Sequence, residues 1–186
     1  AEVNAVVNSL TSLAALFKAN NDVSLTEFTL FSDSIFKKDS SVRALEWAPI
    51  VPLSERAIFE KNSSKILKKD FAIKDKLANG TMAIAPSRPQ YAPLYYLYPQ
   101  PMSQAALGVD VYSNFIHSFS LQKTIDNEYI MTSAPFILAQ DKVAIPAMLF
   151  SQGIFSIAKK PSATELAAQK KLSLIKKAKL LGLVIA

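Results

Sequence analysis

Apolar residues recur every three to four positions over residues 1–20, at Val3, Val6, Val7, Leu10, Leu13, Ala14, Leu16 and Phe17, with asparagines and serines between them. That period predicts one long amphipathic helix. Asn20, Asn21 and Asp22 interrupt it, and Ser24-Leu-Thr-Glu27 has the spacing of a capping box. A second helix is therefore expected through about Phe36, or a single helix kinked at the break. Ala44 to Val51 then carries Trp47 among Leu45, Ile50 and Val51, while Pro49 and Pro52 forbid a helix from running through the corner. The pattern predicts a strand followed by a helix. Ser54 is the expected N-cap, Glu55 suits the first turn, Ile58 and Phe59 are expected to face inward, and Arg56 and Glu60 to pair outside.

Further along, Phe71 to Asp75 alternates as a short strand would, and Asn79-Gly80 is a strong turn signal. Pro86, Pro89 and Pro93 speak against regular structure over 84–93. Tyr91 to Tyr98 is aromatic and β-prone and is expected to end at Pro99. Ala105 to Tyr112 reads as another strand with Asp110 near its end, and Ser113 or Asn114 as the cap of a helix carrying Phe115, Ile116, Phe119 and Lys123. Tyr129–Ala139, Val143–Phe150 and Ile154–Ala158 read as three antiparallel strands. Ser162 to Glu165 forms a further capping box before a lysine-faced helix, and Leu181 to Ala186 reads as a buried strand. Strands separated by single helices, with hairpins in the second half, define an α+β fold rather than an alternating parallel one.

Composition narrows the function. Half of the 186 residues are hydrophobic, cysteine is absent, there is one histidine, His117, and there are four glycines. Disulfides, thiolate metal sites, cysteine nucleophiles, His-based triads and Gly-rich phosphate loops all lack their material, so no cofactor and no metal are expected. No run reaches the roughly 18–20 apolar residues that cross a bilayer, and no basic region followed by an apolar core marks a leader, so a mature or excised chain is expected. The net charge of +6 belongs to the tail: residues 159–186 hold seven lysines and one acid, against 14 basic and 14 acidic residues before them. These lysines lack interleaved aromatics, so nucleic acid is not an expected partner; the basic face is read as solvated rather than as a headgroup contact.

A series of motifs in order points to a family. Residues 47–60 follow W-x-P-x-V-x-x-x-E-R-x-x-F-E; Tyr91-Ala-Pro93, Leu107-Gly-Val-Asp110, Thr132-Ser-Ala-Pro-Phe-Ile-Leu138 and Leu181-Gly-Leu-Val come after it. In this order they resemble the CHASE domain, the extracytoplasmic sensor module of receptors such as plant cytokinin-receptor histidine kinases and bacterial diguanylate cyclases. Met148-Leu-Phe-Ser-Gln152 departs from the family's F-P-V-Y strand, and Ala134 is an insertion in its T-S-P-F strand. The resemblance implies a long N-terminal stalk helix (1–41), a membrane-distal PAS-like ligand-binding lobe (42–139) and a membrane-proximal PAS-like lobe (140–186, truncated at the C-terminus), both built on antiparallel sheets. It also implies a periplasmic or extracellular location, tethering to the membrane in the full-length protein, homodimerisation through the stalk helix, and a kinase or cyclase as output.

The candidate ligand contacts are Asp110, Thr132, Ser133, Tyr91, Tyr95 and Tyr96. Asp110 matches the aspartate of the family's L-x-D motif, which accepts hydrogen bonds from an adenine-like ring; Thr132 and Ser133 match the strand facing it. Without the resemblance, Asp110 is a carboxylate closing an apolar strand that must find donors or cap the helix after it. The tyrosines offer flat faces with polar tips, fit either for stacking a planar ligand or for core packing. No catalytic residue is expected. The alternatives are a dimerisation ectodomain without ligand and, further off, a hydrolase pairing Asp110 with Glu128 or Asp141.

Overall fold

A computed structural model describes residues 2–20, 22–100, 105–113, 129–133, 135–137, 146–155 and 180–186. The first two helices are α1 (Glu2–Ala19) and α2 (Leu25–Phe36), separated at the expected break. The capping box at the start of α2 is formed: Glu27 N–H donates to Ser24 Oγ at 3.2 Å, and Ser24 N–H donates to Glu27 Oε2 at 2.8 Å. Most of the apolar stripe of α1 packs within the chain, with Val7 and Leu16 half-buried and Val3 exposed. Val6, Leu10, Leu13, Ala14 and Phe17 are buried, and the helix lies on strands described below rather than rising free as a stalk.

Five strands form the main sheet: β1 (Leu45–Pro49), β6 (Tyr96–Tyr98), β7 (Met131–Thr132), β10 (Phe150–Phe155) and β11 (Leu180–Ile185). Across the sheet they run β6-β1-β11-β10-β7, every neighbour antiparallel. Trp47 is opposite Tyr96 on one side and Val184 on the other. Strands of both expected lobes, β1 and β6 from 42–139 and β10 and β11 from 140–186, thus share one sheet, and the expected boundary at 139/140 runs through it.

Alternation along β1 gives the sheet two buried faces. Leu45 and Trp47 face the helices, where Trp47 stacks on Phe17 with ring centroids 4.0 Å apart at 19°. Phe28 and Phe36 of α2 meet Tyr96 and Tyr98 of β6 at 5.5 and 4.9 Å. The opposite face carries Ala48, which packs with Ala92, Leu94, Leu97, Val109, Val111 and Ile185. Three two-stranded ladders complete the described sheet structure: β2 (Val51–Pro52) with β5 (Gln90–Tyr91), β3 (Lys74–Lys76) with β4 (Met82–Ile84), and β8 (Phe136–Ile137) with β9 (Pro146–Ala147).

Several local expectations are corrected. Ser54 caps nothing: Leu53–Glu55 is a single 3-10 turn, and α3 (Arg56–Leu67) starts after it without a side-chain cap. Ile58 is exposed, whereas the side chains of Arg56 and Glu60 are mostly buried. The reason is that the segments beside α3 end with unpaired backbone groups. Arg56 Nη1 donates to Ala85 O at 2.8 Å, and Ile73 N–H donates to Glu60 Oε1 at 2.9 Å, so a charged pair bonded internally at 3.0 Å serves where a leucine would leave both groups unmet. The strand expected over 71–75 is shifted to 74–76, with the Asn79-Gly80 turn (Gly80 φ +83°) leading into β4. Tyr91–Tyr98 is split into β5 and β6, with Pro93, which has no ladder donor, between them. Over 105–112 only Val109 and Asp110 make β-bridges, and Val111–Ser113 is a 3-10 turn. The helices expected after Ser113 and over 159–179 lie outside the described residues. Among the described residues no helix is long and apolar enough to cross a membrane.

Candidate functional site

Gly108 starts the segment that carries Asp110. Its φ is +82°, and a Cβ there would come within 2.3 Å of Ala72 O, so only glycine lets the chain approach β3 this closely. The approach is fixed by Lys74 N–H to Gly108 O at 2.9 Å and Asp110 N–H to Lys74 O at 2.8 Å. On the other side Leu94 N–H donates to Val109 O and Val111 N–H to Ala92 O, at 2.9 and 3.1 Å. The L-G-x-D motif is therefore a short bridging strand between β3 and the stretch leading into β6.

Asp110 is fully buried, and both its oxygens are used. Oδ1 accepts from Ala92 N–H at 3.0 Å and Tyr112 N–H at 3.2 Å; Oδ2 accepts from Arg88 Nη1 at 3.1 Å. Burial raises its pKa above the usual carboxylate range, against the pull of the two N–H donors and of Arg88. The other guanidinium nitrogen of Arg88 holds Asp75, whose second oxygen, Oδ1, is buried without a hydrogen-bond partner. One cation thus serves two carboxylates.

Tyr91 belongs to the same network. Its ring is fully buried, with the guanidinium carbons of Arg56 and Arg88 at 4.9 and 5.6 Å from its centroid. Its hydroxyl donates to Pro86 O at 3.0 Å and accepts from Arg56 Nη1 and Arg88 N–H, each at 3.1 Å. Tyr95 and Tyr96 stack on one another at 4.7 Å, with Phe59 and Phe71 around Tyr95. Burial pushes both phenols up, Tyr96 to about 12. Tyr95 also lines a cavity of about 130 Å³ together with Leu25, Leu67, Lys69, Leu97, Gln100 and Leu107, where the first residue of α2 faces the end of α3.

Thr132 and Ser133 lie elsewhere. Thr132 is exposed on β7; Ser133 is buried just after it, its hydroxyl accepting from Leu149 N–H at 3.0 Å. β7 and β6 are the opposite edges of the sheet, four strand spacings or about 19 Å apart. The fold therefore joins Asp110 to Tyr91 through Arg88 and Tyr95 to Tyr96 by stacking, and holds Thr132 and Ser133 apart from Tyr96. Glu128, Asp141 and His117 lie outside the described residues.

Sequence reasoning passed over Arg88, Asp75 and Glu46. Arg88 had a signal, as a lone cation in the proline-rich stretch 86–93 beside apolar segments. Glu46 had a stronger one, as the only charge in Leu45–Val51. It stands between Leu97 and Ile185 on an inner strand of the sheet, and desolvation raises its pKa to about 7. Among the described residues no group of His, Asp or Glu side chains could hold a metal ion.

A family model described as CHASE domain matches residues 21–186. No curated protein matches the chain. The match runs through α2, the sheet, the Asp110 segment and the cavity alike. The chain belongs to the CHASE domain family, the extracytoplasmic and non-catalytic sensor modules of signalling receptors.

Proposed function

We propose that the chain is the small-molecule-binding ectodomain of a transmembrane receptor, and that ligand displaces its N-terminal helices to drive a cytoplasmic kinase or cyclase. The observation that carries this reading is the cavity at Leu25, Leu67 and Tyr95. Its volume of about 130 Å³ is close to that of an engineered apolar cavity, about 150 Å³, that admits benzene. Its leucines and Tyr95, with Lys69 and Gln100 beside them, suit a compact molecule with an apolar body and one polar end. A ligand there touches the first residue of α2. If it binds one position of α2 more tightly than another, it shifts the population of helix arrangements by that difference in affinity.

In this reading the five-stranded sheet with its helices is the core of a PAS-like lobe, and the chain works as a homodimer tethered to the membrane. Asp110 is the second candidate contact: a donor group on the ligand reaches Oδ2 by replacing Arg88, with Tyr91 alongside. Tyr96 supports Tyr95 from behind, and Thr132 and Ser133 serve a ligand that extends to the β7 edge.

The test is a thermal-shift screen of a metabolite panel against the 186-residue chain and two variants. A hit is expected to raise the Tm of the wild type and to lose its effect in Leu25→Trp, which fills the cavity. Retention of the shift in Leu25→Trp with loss in Asp110→Asn would move the ligand to the Asp110 network. No stabilisation by any member of a broad panel, and no ordered ligand in a crystal, would leave the dimerisation ectodomain as the better account.

A further inference from the structure

Among the described residues that line the cavity beside Tyr95, one carries a charge: Lys69. The chain brings it there by ending α3 sharply. Lys68 takes a left-handed conformation with φ +54°, and Lys69 N–H returns to Ser64 O at 3.2 Å, which closes the helix and turns the next side chain onto the cavity. Glycine or asparagine ordinarily fills such a position, and Lys68 is the only other residue type found with positive φ among the described residues.

The two helix ends at the cavity do not decide which charge it favours. The start of α2 at Leu25 is the positive end of a helix dipole and the end of α3 at Leu67 a negative one, so the two offset. At the start of α2 a carboxylate is already in place: Glu27 accepts from Ser24 N–H at 2.8 Å and from Ser24 Oγ at 2.7 Å. The sign is therefore set by the ammonium of Lys69, with no acidic side chain among the described lining residues.

We infer that the cavity takes a small monocarboxylate, with a branched or monocyclic body of about six carbons among the leucines and its carboxylate at Lys69 and Gln100. This rests on the cavity being the ligand site and names the class of ligand it selects. The Lys69 ammonium donates to one carboxylate oxygen and the Gln100 amide to the other. One cation and one amide suit a monoanion; a phosphate or a dicarboxylate brings a second negative charge for which the described lining supplies no cation. A ligand amine is repelled by Lys69. Because Lys69 is exposed, its attraction is screened, and the apolar body supplies most of the affinity while the charge supplies the choice.

The test is a set of ligand-observed NMR titrations of the 186-residue chain. Isovalerate and benzoate are compared with isovaleramide and benzamide, which keep the shape and lose the charge. Each acid is expected to bind roughly fivefold tighter than its amide at low salt, and the ratio to shrink as salt is raised. In Lys69→Gln the ratio is expected to vanish while the amides bind as before. In Lys69→Glu it is expected to invert, with benzamidine, a cation of the same shape, preferred over benzoate. A role for Lys69 only in closing α3 would change the Tm of these variants and leave the acid-to-amide ratio as in the wild type, which overturns the inference. Wild-type preference for the amides or for benzamidine, abolished by Leu25→Trp, also overturns it but keeps the cavity as the ligand site. Binding of the acids that survives Leu25→Trp overturns both.

Discussion

The guanidinium of Arg88 stands 3.1 Å from a carboxylate oxygen of Asp110 that solvent does not reach. The pair ties the Asp110 segment to the proline-rich stretch, while the second arm of Arg88 holds Asp75 on β3. Removing one partner of a buried pair leaves the other charge uncompensated, at a cost of about 3–5 kcal/mol. Arg88 retains partial exposure, so Arg88→Met is expected to cost about 3 kcal/mol by urea denaturation. Asp110→Asn keeps an acceptor for Ala92 and Tyr112 N–H and should lose only about 1–2 kcal/mol. Equal costs for the two variants would mean that the ion pair contributes little beyond the backbone bonds.

Gly108 sets the same segment from the other side. Replacing it by alanine forces a side chain onto a backbone with φ +82° and drives Cβ to 2.3 Å from the Ala72 carbonyl oxygen. The strain alone is on the order of 1–3 kcal/mol, and the clash adds to it because the neighbour is backbone and cannot swing away. Gly108→Ala is expected to lower the denaturation midpoint by more than Asp110→Asn does. Gly80 offers the control: its φ is also positive, +83°, but no atom lies within 4 Å of where a Cβ would stand, so Gly80→Ala carries the strain without the clash.

These two residues also show what could be read in advance. In the L-G-x-D motif the glycine and the aspartate answer local needs, a positive φ and a set of N–H donors. Periodicity located α1, the capping box of α2 and the Asn79-Gly80 turn for the same reason: each is decided by neighbours in the chain. Expectations failed where distant backbone decided. Arg56 and Glu60 looked like a surface pair because nothing in the sequence of α3 says that Ala85 O and Ile73 N–H will need partners beside it. The strand expected at 105–112 shrank to two bridges because its pairing is shared between β3 and the stretch before β6. For the site, sequence reasoning named Asp110 and Tyr95, but not the arginine that occupies Asp110 or the leucines that shape the cavity.

Trp47 is the only tryptophan of the chain, and it stacks on Phe17 of α1 at 4.0 Å. Its fluorescence therefore reports the seating of α1 on the sheet. Phe17→Ala is expected to shift the emission of the folded protein to longer wavelength as water reaches the indole, and to cost about 3–5 kcal/mol for a buried phenylalanine. The same signal tests the helix displacement: a ligand that moves α1 should change Trp47 emission in step with its thermal stabilisation. Stabilisation with an unchanged Trp47 spectrum would mean that binding leaves α1 in place, and the relay would need another path.

Glu46 gives the chain a pH dependence whose sign can be worked out. Between Leu97 and Ile185 its carboxyl is held at a pKa of about 7, raised by desolvation from an ordinary 4.5. The folded state therefore binds this proton more tightly than the unfolded state does. Its contribution to stability is complete below about pH 4.5 and is lost as pH rises through about 7. After a discount for the residue's partial exposure, the loss is about 2–3 kcal/mol. Glu27, Asp33 and Asp39 have lowered pKa values and act in the opposite sense at the acid end, so the raw profile of the wild type mixes both. The difference between wild type and Glu46→Gln isolates the one group. Glu46→Gln is expected to be the more stable protein at alkaline pH, with the advantage shrinking steadily as pH falls through the neutral range. A difference that stays constant across this range would place the Glu46 carboxyl in contact with water or with a cation, and remove it from the groups that make the fold sensitive to pH.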